Sequence, residues 1–154
     1  MQFYPKDISR PSYAQLIQLT KHFTVATVLN SNYYEDKYGK YEWIAAFGAD
    51  KFIAPSNSSF TAVEKFQHEN QWVFGGFSYD LKNELEKLNS RTDNPIGFPT
   101  LYFYAPQFLL LQRRNVDRAE LYIANGVSSE AIESVLELLN EEVQINESQV
   151  PSLQ

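Results

Sequence analysis

The chain has 154 residues, 44% hydrophobic and 15% aromatic, with a net charge of −6 and no cysteine. That length fits one domain able to bury a core without covalent staples, and the missing thiols exclude disulfides, thiolate metal sites and cysteine nucleophiles. Nineteen acidic residues outnumber thirteen basic ones, and no basic block exceeds the pair Arg113 and Arg114, which argues against nucleic acid because phosphate backbones require clustered positive charge.

The opening MQFYPKDISR has no apolar signal core, and no unbroken hydrophobic stretch exceeds five residues, with 108–111 (FLLL) the most aliphatic. No span of membrane-crossing length is expected, and the chain reads as cytoplasmic. Ten Tyr and eleven Phe favour a β-rich core.

Ser12 is a helix N-cap with Gln15 as its capping-box partner. Tyr13, Leu16, Ile17 and Phe23 are expected along one face of the helix that follows. A strand follows at 24–30 (TVATVLN), then a polar loop with a turn at Gly39. Residues 41–47 (YEWIAAF) read as a strand with Tyr41, Trp43, Ala45 and Phe47 on one side. A hairpin turn at 48–50 leads into a short strand at 51–54. A helix over 60–68 carries Phe60, Val63 and Phe66. Residues 72–79 (WVFGGFSY) form a strand taking Phe77 and Tyr79 into the core. Its pair Gly75 and Gly76 marks a bulge or a close backbone approach.

Asp80 is placed to cap a helix bearing Leu81, Leu85 and Leu88, and a polar loop spans 89–98. Two strands, 100–104 and 107–112, flank a turn at Ala105 and Pro106. A further strand covers 119–124 after a turn at Asn115. Ser128 or Ser129 caps a last helix with an apolar stripe of Ile132, Val135, Leu136, Leu139 and Val143. Glu130 and Glu133 lie near its positive end. Short turns between strands dictate antiparallel pairing. The expected architecture is α+β, an antiparallel sheet with helices packed on one face. Residues 1–143 form the domain and 144–154 a polar linker.

Few constellations carry chemistry. His22 and His68 lack metal-ligand spacing, and no metal site is expected. The run 76–80 (GFSYD) is superficially like the hydrolase elbow G-x-S-x-G but lacks the second glycine. No phosphate-cradling glycine motif is present. Most carboxylates read as helix surface; Glu84 and Glu86 do not share a face. Glu35 and Asp36 read as solvated loop residues, and Glu141 and Glu142 as a surface feature. The tetrad 29–32 (LNSN) ends a strand with short polar groups that serve either a ligand or an Asx-turn, the turn being favoured. No catalytic residue is identified. Asn30 and Ser31 are the candidate effector-binding residues.

Three segments together resemble a known family. They are 26–49 (ATVLNSNYY…YEWIAAFGA), 72–88 (WVFGGFSYDLKNELEKL) and 97–112 (GFPTLYFYAPQFLLLQ). In this order they are similar to the N-terminal domain of component I of the chorismate-using synthases, anthranilate synthase and aminodeoxychorismate (para-aminobenzoate) synthase. Gly76, Phe77, Tyr79, Asp80 and Pro99 match the family pattern. Within the family, 79–84 (YDLKNE) looks most like the aminodeoxychorismate branch. Tryptophan-regulated anthranilate synthases usually read Leu-Glu-Ser where this chain has Leu29, Asn30 and Ser31. The loss of that charge puts classical tryptophan feedback in doubt, because charge-assisted hydrogen bonds are the stronger ones.

The resemblance implies a two-part enzyme. An absent C-terminal part would bind chorismate and Mg²⁺ and carry catalysis, and a glutamine amidotransferase subunit would supply ammonia. The product would be 4-amino-4-deoxychorismate, for folate synthesis. The present chain, inactive alone, would brace the catalytic half and hold a regulatory or structural ligand. Anthranilate synthase component I and a free-standing ligand-binding module are the alternatives.

Overall fold

A computed structural model describes residues 3–32, 34, 37–55, 57–86 and 97–141, with the side chain of Leu85 set aside. In chain order the elements are β1 (Phe3–Ser9), α1 (Tyr13–His22), β2 (Ala26–Asn30), β3 (Tyr41–Ile53), α2 (Ser59–Glu69) and β4 (Phe74–Phe77). A 3-10 turn (Tyr79–Leu81) then leads to α3 (Lys82–Glu86), β5 (Leu101–Arg113), β6 (Arg118–Ala124) and α4 (Ser129–Asn140). The fold is α+β, with one antiparallel six-stranded sheet ordered β1-β6-β5-β3-β2 and β4 also paired to β5. Since β3 occupies one side of β5, β6 and β4 follow one another along the other, against residues 108–112 and 101–104.

The main core lies between one sheet face and the helices α1 and α4. Trp43, Ala45 and Phe47 of β3, Phe108 and Leu110 of β5, and Leu121 of β6 meet Leu16, Leu19, Val135 and Leu139. Each large side chain buried this way contributes about 1.5–3 kcal/mol relative to exposure. The period-2 alternation of β3 and the helical stripe of α4 thus meet across one interface. Val143, assigned to that stripe, lies outside the described residues, as does the proposed linker.

Gln15 joins the two helices. Its Oε1 accepts the Ser12 N–H at 2.7 Å while Ser12 Oγ accepts the Gln15 N–H at 3.3 Å, the expected capping box. Its Nε2 also donates to the carbonyls of Leu139 (2.6 Å) and Glu141 (3.0 Å), groups left unpaired at the end of α4. At the other end of α4, Ser128 is the N-cap, accepting from the Ala131 N–H at 3.2 Å. The Glu130 carboxyl is held below its ordinary pKa by its own backbone N–H and by Ser128.

Several expectations are overturned. The residues around Gly48 form no hairpin: β3 runs unbroken through them and pairs with β5 on both sides. The left-handed Gly48 (φ +66°) and a register shift between Ala49 and Lys51 mark a bulge instead. Likewise no turn forms at Ala105 and Pro106. β5 is one strand of 13 residues, and Pro106 pairs with Ala49 beside that bulge, where a missing N–H is tolerated. A second register shift, between Tyr41 and Trp43, rotates Tyr41 onto the opposite face, into the cluster of Ala46, Phe74, Tyr104, Leu109 and Leu111. In α1 the buried residues are Ala14, Leu16 and Leu19, whereas Tyr13 and Ile17 are exposed. The N-terminal segment, which carries no strand signal, is the edge strand β1; Pro5, Lys6 and Asp7 suit an edge because they discourage further pairing.

The β4 region also departs from expectation. Phe77 and Tyr79 are exposed at 53% and 80% rather than in the core. Asp80 lies inside the 3-10 turn and is no N-cap; Ser78 precedes the turn. Of the three leucines assigned to the next helix, Leu81 is buried, and Leu88 falls outside the described residues. The close approach expected at the glycine pair belongs to Gly75. A Cβ there would stand 2.0 Å from the Tyr102 carbonyl oxygen, whereas one on Gly76 would meet nothing within 4 Å.

Candidate functional site

Asn30 and Ser31 end β2, where the chain leaves the sheet. The Asn30 Oδ1 accepts the Asn32 N–H at 2.9 Å, and Asn32 adopts φ +48°. The Asx-turn is therefore real, and it occupies the acceptor of Asn30. Ser31 differs. Its N–H donates to Glu42 O at 2.9 Å and its carbonyl accepts from the Tyr34 N–H at 2.9 Å. Its hydroxyl is buried and has no hydrogen-bond partner among the described residues. A buried hydroxyl left unpaired is costly and calls for a ligand or a water.

Both residues line a hollow of about 260 Å³ together with Leu29, Tyr41, Glu42, Trp43 and Ile44. A smaller hollow of about 140 Å³, reaching to Arg10 and Ser12, shares Asn30, Glu42 and Trp43. Glu42 stands at the shift in register and is ion-paired with Arg10. The site thus offers a carboxylate, a hydroxyl and two large rings, a set suited to a small amphipathic molecule.

The walls are held by two arginines. Arg114 Nη2 donates to Tyr34 O at 2.6 Å and Nε to Tyr41 O at 3.4 Å, tying down the loop after β2. The Arg113 guanidinium lies 5.3 Å from the Tyr41 ring centroid and donates from Nε to Glu120 Oε1 at 3.0 Å. Tyr122 Oη donates to Glu120 Oε2 at 3.0 Å. Arg113 holds the Glu120 carboxyl below its ordinary pKa. Burial and the Glu120 carboxylate push the Tyr122 phenol up.

Sequence reasoning found Asn30 and Ser31 but missed Tyr41, Glu42, Trp43 and Arg10. Strict alternation from Tyr41 to Phe47 hides the bulge that brings Glu42 to the site, and Arg10 arrives only through β1. The other motif residues are elsewhere: Gly76, Phe77, Tyr79 and Asp80 do not line this hollow. Phe77 stacks on Phe60 at 6.4 Å and meets Phe103 edge-on at 5.0 Å, and Lys82 Nζ lies 3.7 Å from the Tyr79 ring centroid.

Among the described residues, no group of three or more His, Cys, Asp or Glu side chains is placed to hold a metal ion, and His22 and His68 are both exposed. Glu35, Asp36 and Glu142 lie outside the described residues. No described helix is long and apolar enough to cross a membrane. No protein-family model matches the chain, and no curated protein matches it.

Proposed function

We propose that the chain is the N-terminal domain of aminodeoxychorismate synthase component I. The observation that carries this reading is the ordered resemblance of segments 26–49, 72–88 and 97–112. Those segments cover β2, Tyr41–Ala49 of β3, β4, the Tyr79–Leu81 turn and most of β5, a contiguous set of paired strands. Segments that fall on strands paired with one another fit a shared fold better than a chance likeness of scattered surface loops.

In this reading the domain is non-catalytic. It braces a C-terminal half that binds chorismate and Mg²⁺, and a glutamine amidotransferase subunit delivers ammonia. The whole enzyme replaces the 4-hydroxyl of chorismate with an amino group, in the cytoplasm, toward folate. The Ser31 hydroxyl, buried and without a partner among the described residues, supports a regulatory or structural ligand in the hollow beside Asn30.

The test is an assay of the complete gene product with chorismate, ammonia and Mg²⁺. Formation of 4-amino-4-deoxychorismate supports the assignment. Anthranilate as product moves the chain to the sister enzyme. A reading frame that stops at Gln154 overturns the synthase reading and leaves a free-standing ligand-binding module.

A further inference from the structure

A second cleft, of about 430 Å³, opens beside the bulge of β3 against β5, and shares no residue with the hollow at Ser31. Gly48 lines it with a fixed shape. The residue is buried, its N–H donates to Val25 O at 2.9 Å, and its φ is +66°. The Gln107 side chain lies across it so closely that a Cβ on residue 48 would stand 2.3 Å from Oε1. One wall carries Phe52 and Tyr102, whose rings stack with centroids 6.3 Å apart and planes 25° apart. Phe52 is 64% exposed, so part of its ring is accessible from solvent.

The cleft also carries polar side chains. His22, Thr24 and Gln107 line it, and each brings a side-chain donor. The chain carries 19 acidic residues, yet none is among the residues that line this cleft. Next to the lining residues, Lys21 adjoins His22 and Lys51 adjoins Phe52, against one carboxylate, Asp50 beside Ala49, so the neighbouring charge is net positive. An aromatic wall beside donors, with no carboxylate in the lining itself, is complementary to a flat ring bearing a carboxylate.

We propose that this cleft binds a planar aromatic carboxylate, its ring against Phe52 and Tyr102 and its anionic and polar groups at His22, Thr24 and Gln107. The proposal is independent of the synthase reading, since it rests on the Gly48 bulge and its surrounding side chains.

The test is a ligand-observed NMR titration of the 154-residue chain with benzoate and 4-hydroxybenzoate. Cyclohexanecarboxylate, which lacks the aromatic ring, and phenol, which lacks the carboxylate, serve as comparison probes. Saturable binding of both aromatic acids is expected, with the two comparison probes weaker. Phe52→Ala, at an exposed position that folding tolerates, weakens binding about three- to tenfold through the lost ring contact. Gln107→Leu weakens 4-hydroxybenzoate more than benzoate, whereas Ser31→Ala changes neither. Three outcomes overturn the proposal: no saturable binding at about 10 mM acid, a range where even weak sites fill; phenol binding as well as benzoate; or binding that responds to Ser31→Ala and ignores Phe52→Ala, which places the ligand in the other hollow.

Discussion

The carboxylate of Glu84 caps the helix that begins at Ser59. Glu84 Oε2 accepts the Ser59 N–H at 3.0 Å and Oε1 accepts the Ser59 Oγ–H at 2.5 Å. The residue at the N-cap position, Ser58, is left-handed (φ +52°) and makes no side-chain cap. A carboxylate from α3 therefore does by tertiary contact what a local serine does for α1 and α4, and it sits favourably at the positive end of α2.

Glu84→Ala is accordingly expected to destabilise the chain by about 0.5–2 kcal/mol, the range for a lost N-cap. Urea denaturation of the two proteins measures it. An unchanged midpoint would show that water replaces the carboxylate at no cost.

The two glycines of β4 make opposite demands. At Gly75 a methyl group meets the Tyr102 backbone, which has no freedom to withdraw without breaking the β4–β5 pairing. Gly75→Ala is expected to cost more than about 3 kcal/mol, in the range of severe steric lesions. Gly76→Ala, with open space around it, is expected to stay within about 1 kcal/mol. Thermal denaturation of both variants decides the matter, and equal losses would refute the close approach.

Glu120 gives a pH-dependent prediction. Its folded pKa is lowered, first by the hydrogen bond from Arg113. A carboxylate with a lowered folded pKa binds protons more readily when unfolded, so its contribution is present above the unfolded value and lost as pH falls through the folded one. Glu120→Gln should therefore lose less than about 1 kcal/mol near neutrality, because the pair is partly solvated. Variant and parent should converge in acid. Denaturation midpoints measured from neutrality down into the acid range test this, and a constant difference across that range contradicts the linkage.

Ser31 predicts two effects of opposite sign. Without ligand, Ser31→Ala removes a buried hydroxyl that has no partner among the described residues, so stability should hold or rise slightly. With an aromatic amino acid, the same variant should bind about three- to tenfold more weakly, the worth of one neutral hydrogen bond. Calorimetry with L-tryptophan and L-phenylalanine reads the second effect. No binding at millimolar ligand would leave the loop a purely structural turn.

Where the sequence was legible, the signal was local. The Ser12–Gln15 capping box, the serine cap of α4 (at Ser128 of the two candidates), its apolar stripe from Ile132 to Leu139 and the turn at Asn115 each depend on residues within one or two turns of chain, and each is present in the fold. Antiparallel pairing of β5 with β6 followed from the short turn at Asn115, and the Asx-turn from an asparagine at a strand end. Gly75 and Gly76 announced a close approach, although only the partner strand decides which of the two must be glycine.

The errors share one cause, which is that a strand's continuity is set by its neighbour. Gly48 and Pro106 each look like chain breakers alone. Brought together across β3 and β5, they form one bulge that both strands pass through. The shift beside Glu42 arises the same way, and it moves Tyr41 to the other face and Glu42 to the candidate site. Composition, caps and helical periodicity by themselves determined an α+β chain with an antiparallel sheet and a helix-covered face, because those depend on backbone sterics and on short-range hydrogen bonds. Only the tertiary structure decided the two long central strands, the cap that Glu84 lends to α2 and the side chains around Ser31. Those depend on pairing between residues up to scores of positions apart, where the partner supplies the hydrogen bonds and the steric limits.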